Sequence, residues 1–247
     1  ETRNFYQDDI RIGYYSTSDV NPTCGIATVK QIVGELDDNR YFTFPDRFDA
    51  SILWFGSGYI EYNLPNHLKA GQALDELQIS FEICSECPGY NEDYPSDIHF
   101  SINGKPLGLW VSPGDYGDRK GYLNPQWWPE RLNQYGLLKP LIINSDGTFM
   151  DGSSKISDIT IEELELDYSS TISFRFEVPK VSFTYPISGY HGFQNMFCIL
   201  PVSHLQPHNP PGQDLPLYKF LYDRTSPCPQ AYTNSYAYLK LPGKYMC

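Results

Sequence analysis

Along much of the chain, apolar residues recur at every second position. From Glu76 to Ile83 the apolar side chains Leu77, Ile79, Phe81 and Ile83 alternate with polar ones, which is the period of a half-buried strand. Ile98, Phe100 and Ile102 repeat the pattern and run into Asn103-Gly104. Asn-Gly between two apolar runs predicts a tight hairpin, because both residues accept the left-handed backbone that such a turn needs. The return strand spans Leu107 to Val111, with Leu109 and Trp110 on opposite faces. Gly58 to Leu64 alternates around Ile60, Tyr62 and Leu64, and Ile172, Phe174, Phe176 and Val178 alternate again. The only helix expected is short, from His67 to Leu77. Many short strands punctuated by Pro and Gly predict an all-β chain, an antiparallel β-sandwich or jelly roll. Leu77, Ile79, Phe81, Ile83, Ile98, Phe100, Ile102, Ile172, Phe174 and Phe176 should then share one core.

A chain of 247 residues with 40% hydrophobic and 19% charged side chains can bury such a core and is not charged enough to stay disordered. The aromatic share of 15% suits strands or a stacking surface better than helices. The net charge of −12 argues against nucleic acid as a direct partner and against an anionic membrane surface, since both need a basic face. No apolar run approaches the ~20 residues that span a bilayer. The start, Glu1-Thr2-Arg3-Asn4, has no apolar signal core. Composition shifts near residue 180. The first part is strongly acidic, while the second is slightly basic and holds 9 of the 20 prolines. Residues 1–180 are therefore expected to be a β-sandwich ligand-binding domain. Residues 181–247 are expected to be a Pro/Tyr-rich extension that partly completes it or packs on it.

Candidate chemistry concentrates in one loop. Ser112 to Pro129 follows a strand and carries three glycines, two acids, two bases and four aromatics. Loops on a rigid scaffold are where binding residues gather. Here Trp127 or Trp128 would stack on a ring, Tyr116 would flank it, and Asp115, Asp118 and Arg119 would hold hydroxyls. Glycines at 114, 117 and 121 would let the backbone come close to a ligand. The structural alternative is that the tryptophans plug one end of the sandwich. A second cluster is acidic: Glu82, Glu86, Glu92, Asp93 and Asp97. It reads as a solvated rim, with a structural calcium ion or a glycoside-cleaving carboxylate pair as alternatives. Cys84-Ser85-Glu86-Cys87 is a single C-x-x-C with no second pair for zinc, so two thiols or a local disulfide are expected. His191, His204 and His208 read as surface histidines, and no nucleophile elbow, zinc-protease or P-loop motif occurs.

Several segments together resemble one family. They are Pro22-Thr23-Cys24-Gly25-Ile26-Ala27-Thr28, Leu36 to Phe42, Ile52 to Tyr62, Pro88-Gly89-Tyr90-Asn91, Pro95-Ser96-Asp97-Ile98, the Ser112–Pro129 loop, Asn133 to Lys139 and Ile156 to Ile161. In order and content they are similar to the long β-rich C-terminal domain of certain bacterial ArsR-type helix-turn-helix transcriptional regulators, over about residues 5–178. The resemblance implies a ligand-sensing β-domain in a cytoplasmic protein. The winged helix that would bind DNA is not in this sequence, and residues from about 201 onward have no counterpart. Cys228-Pro229-Gln230-Ala231-Tyr232, Tyr236-Ala237-Tyr238 and Cys247 faintly resemble the end of thaumatin-like proteins, which implies secretion instead. A Cys228–Cys247 disulfide is expected in that case, and free thiols in the cytoplasm.

The expected function is binding of a small polar ligand, a carbohydrate first among them, by a sensor-type domain. The alternatives are a secreted glycoside-active enzyme on a jelly roll, or an assembly module. Self-association as a homo-oligomer is left open, and no cofactor is expected beyond the calcium alternative.

Overall fold

The computed structural model describes residues 4–180, 197–200 and 235–241. Twelve strands account for about half of these residues: β1 Asn4–Ile10, β2 Thr17–Thr28, β3 Ala50–Leu64, β4 Glu76–Ser85, β5 Ser96–Ile102, β6 Lys105–Ser112, β7 Leu137–Asn144, β8 Gly147–Met150, β9 Ser154–Ser157, β10 Ile172–Val178, β11 Phe197–Leu200 and β12 Ser235–Leu241. Short 3-10 turns, among them Asn39–Thr43 and Pro45–Asp49, fill the connections. Every strand pairing among the described residues is antiparallel. Strand order runs β6-β5-β10-β3-β11-β4-β7-β8-β9, with β2 on β3, and β12 between β1 and β4.

The sheet folds over so that β4 faces β5 and β10. The Phe81 ring on β4 lies 5.5 Å from Phe100 on β5 and 4.9 Å from Phe176 on β10, although these strands share no hydrogen-bond ladder with β4. The two ends of the strand order also meet. β6 lies against β9, and the α-carbon of Gly108 approaches the Ile156 carbonyl so closely that a Cβ would stand 2.7 Å from it. All ten residues expected in one core are buried in a single cluster with residues of β2, β3 and β6. The Asn103-Gly104 hairpin forms with φ of 49° and 77° at its two central residues.

Residues 67–75 do not form the expected helix. Gly71 adopts φ 81°, which ends any helical run, and Asn66 ties the segment down by donating from Nδ2 to the Asp167 and Ser170 carbonyls. Leu68 and Leu74 reach the core from this irregular stretch. Cys84 and Cys87 are not joined to each other. His191, His204 and His208, and the expected Cys228–Cys247 pair, lie outside the described residues. Among the described residues no helix is long and apolar enough to cross a membrane.

Candidate functional site

Between the end of β6 and the start of β7, residues 113–136 lie over the β4 end of the sheet. Three backbone hydrogen bonds fix the loop's entry: Ser85 N–H donates to Gly114 O at 3.1 Å, Tyr94 N–H to Pro113 O at 3.1 Å, and Asp115 N–H to Asn91 O at 2.8 Å. Beneath it is a second, smaller core of Ala27, Ile52, Trp54, Cys84 and Trp128. The Trp128 ring meets Trp54 edge-on at 5.8 Å, and its indole N–H donates to Asn133 O at 2.8 Å. That satisfies its one polar group in a dry site. Gln134 closes the far side. Its Oε1 accepts from Gly121 N–H and from Asn124 Nδ2, and its Nε2 donates to Pro129 O and Leu132 O. The glycines expected to admit a ligand instead admit the protein itself. A Cβ at Gly117 would strike the Tyr90 ring at 2.3 Å, and one at Gly121 the Gln134 carbonyl at 1.7 Å.

The six expected site residues therefore part company. Asp115 and Trp128 are buried and hold the loop. Asp115 Oδ2 accepts from Cys87 N–H at 3.1 Å, and the Cys87 and Cys84 sulfurs lie 3.5 and 4.0 Å from its oxygens. Its carboxylate is not turned to solvent, because the loop needs it to satisfy the Cys87 amide. Burial pushes its pKa up to about 7, against the pull of the Cys87 hydrogen bonds. The neighbouring Glu86 is held well above the ordinary carboxylate range by burial and by the Asp115 charge. Burial also pushes the Cys87 thiol up to about 12, so it is not a nucleophile at neutral pH.

Tyr116, Asp118 and Arg119 converge on a residue that spacing gave no reason to single out, Tyr135. The Tyr116 and Tyr135 rings stack at 5.4 Å and 21°. The Arg119 guanidinium lies 3.7 Å from the Tyr135 ring centroid, and Tyr135 OH donates to Asp118 Oδ1 at 2.5 Å. Burial, then this hydrogen bond, pushes the Tyr135 hydroxyl up to about 12. Glu82 lies close by. Its Oε1 accepts from Gly136 N–H at 2.9 Å, and burial raises it to about 7 despite that bond and the Arg119 charge. Trp127 is 37% exposed and touches Trp128 edge-on at 5.6 Å. Tyr90 and Tyr122 add further exposed rings along the same loops.

The result is a preformed surface of aromatic rings beside the exposed Asp118 and Arg119. A carboxylate and a guanidinium can each hydrogen-bond hydroxyl groups from such a surface. The acidic segment does not gather into the expected alternative calcium cage: Glu82 is engaged by Gly136, Asp97 is buried, and among the described residues no group of three His, Cys, Asp or Glu side chains converges on a metal position. Sequence order hid Tyr135 because it meets Asp118 only once the loop has turned back on itself, through a bridge between Tyr116 and Tyr135. No family model and no curated protein matches this sequence, which leaves the chemistry of this surface to speak for itself.

Proposed function

We propose that this chain is a small-ligand-binding β-sandwich of jelly-roll type, used as a sensor domain, and that its ligand is a carbohydrate or similar polyhydroxylated ring. The observation that carries this reading is the Arg119–Tyr135–Tyr116 stack with Asp118 hydrogen-bonded at its edge. It is held by a buried scaffold, so little ordering remains to oppose binding. Sugar rings take this kind of surface, since apolar C–H faces lie on aromatic rings while hydroxyls reach Asp118 and Arg119. Glu82 favours the glycoside-active alternative in one respect: a carboxylic acid with a pKa near 7 can donate a proton at neutral pH.

The test is a thermal-shift screen of the whole chain against a panel of mono- and oligosaccharides, followed by titration of each hit. Ligand binding to the native state raises its midpoint. Asp118→Ala and Arg119→Ala should each weaken any hit about tenfold while the unliganded midpoint stays put, which corresponds to ~1.4 kcal/mol per lost contact. Hits that bind both variants as well as the parent would move the site elsewhere. Release of sugar from a substrate, lost in Glu82→Gln, would replace the binding reading with the enzyme.

A further inference from the structure

The register of β11 carries a chemical consequence. This strand lies between β3 and β4, and its pairing with β4 sets Cys198 directly opposite Cys84. Directly opposed residues of an antiparallel pair have Cα atoms about 4.5–5.5 Å apart, inside the roughly 4.4–6.8 Å window that a disulfide spans. No other two cysteines of the described strands share a register position: Cys24 on β2 is opposite Phe55, and Cys87 lies past the end of β4. Cys84 belongs to the small core under the binding loop, so a bond there would tie that core, β4 and β11 together.

We infer that Cys84 and Cys198 form a cross-strand disulfide that fastens β11 into its slot. The oxidant is a low-molecular-weight disulfide such as oxidised glutathione. The two protein thiols give up two protons and two electrons, one S–S bond forms between them, and the glutathione S–S bond breaks to give two molecules of reduced glutathione. Cys84 is fully buried in the folded chain, so exchange takes place as β11 docks during folding rather than on the finished surface.

The experiment refolds the reduced full chain in a buffer of oxidised and reduced glutathione, traps the remaining thiols by alkylation, and maps cross-linked peptides by mass spectrometry. The expected product links residues 84 and 198. It should persist in Cys87→Ser, disappear in Cys198→Ser, and raise the unfolding midpoint of the parent by at least about 5 °C over the same chain refolded in dithiothreitol. A Cys84–Cys87 link, a link from Cys84 to any other cysteine, or alkylated Cys84 in the refolded parent would overturn the inference. A Cys84–Cys198 bond without the rise in midpoint would overturn the fastening role. Peptide mapping of the parent decides the pairing by itself, so a variant that fails to fold does not spoil the test.

Discussion

Asp115 has no exposed surface, and its carboxyl group is buried against the Cys87 amide with a pKa near 7. Its ordinary value is about 4, so between about pH 4 and pH 7 the native state holds a proton that the unfolded chain has released. Stability from this group is complete below about pH 4, falls as pH rises towards 7, and is level above that. Glu86 and Glu82 act in the same direction. Asp115→Asn keeps a carbonyl oxygen for the Cys87 amide and removes the titration. Urea unfolding across pH 4 to 8 should therefore show a shallower loss of stability in the variant than in the parent, and parallel curves would refute the assignment. The two adjacent tryptophans separate equally cleanly. Trp128 packs on Trp54 in the small core, so Trp128→Ala should cost about 3–5 kcal/mol. Trp127 keeps over a third of its surface in water, and Trp127→Ala should cost less than ~1 kcal/mol. Denaturant midpoints of the two variants measure both. The pair Trp127-Trp128 was visible in the sequence, but which of the two is interior depends on Trp54, about seventy positions earlier.

Strands that keep one face wet announced themselves. The alternation of Leu77 to Ile83 and of Ile172 to Val178 survives because their intervening residues stay partly exposed. In the middle of β3 it disappears, since Leu53 and Phe55 enter the large core while Ile52 and Trp54 enter the small one. The end of β2 behaves alike, with Cys24 and Ile26 on one side and Ala27 on the other. Burial on both faces erases a period of two, so these elements were not legible from pattern alone. The hairpin at Asn103-Gly104 was legible because its signal is local. Two glycines show how far local and tertiary demands differ. Gly104 has φ 77° with nothing near a prospective Cβ, so Gly104→Ala should cost only about 1 kcal/mol of backbone strain. Gly58 has φ 108°, and a Cβ there would sit 1.9 Å from the Asp19 carbonyl across the β2–β3 pair. Gly58→Ala should cost about 3 kcal/mol or more, since strain and collision add. Equilibrium unfolding of both variants tests the ordering, and equal costs would contradict this account of β2–β3.

At the scale of the molecule, composition changes at a point that strand pairing crosses. Charge and proline content change near residue 180, where the extension expected to partly complete the sandwich or pack on it begins. Hydrogen bonding does not stop there. β11 takes the place between β3 and β4, pairing with Leu53 to Phe55 on one side and Glu82 to Ser85 on the other. β12 pairs with Glu76 to Ser80 of β4 and with the whole of β1, which has no other strand partner among the described pairings. Such pairings have no sequence signature, because the two strands of each pair are more than a hundred positions apart and neither specifies the other locally. A chain ending at residue 180 would leave the Leu53–Phe55 edge of β3 and the Glu76–Ser85 edge of β4 without these partners. It would also leave β1 with no strand to join. Unpaired edges are templates for pairing with other chains. The truncated chain should therefore unfold at lower denaturant than the full chain and associate as its concentration rises, which sedimentation velocity and chemical unfolding would show together. Adding a synthetic peptide of residues 197–200 with flanking sequence should slow that association by filling the slot on β4. A truncated chain that stays monomeric and as stable as the parent would mean that residues 1–180 complete their own sheet, and that β11 and β12 merely rest on it.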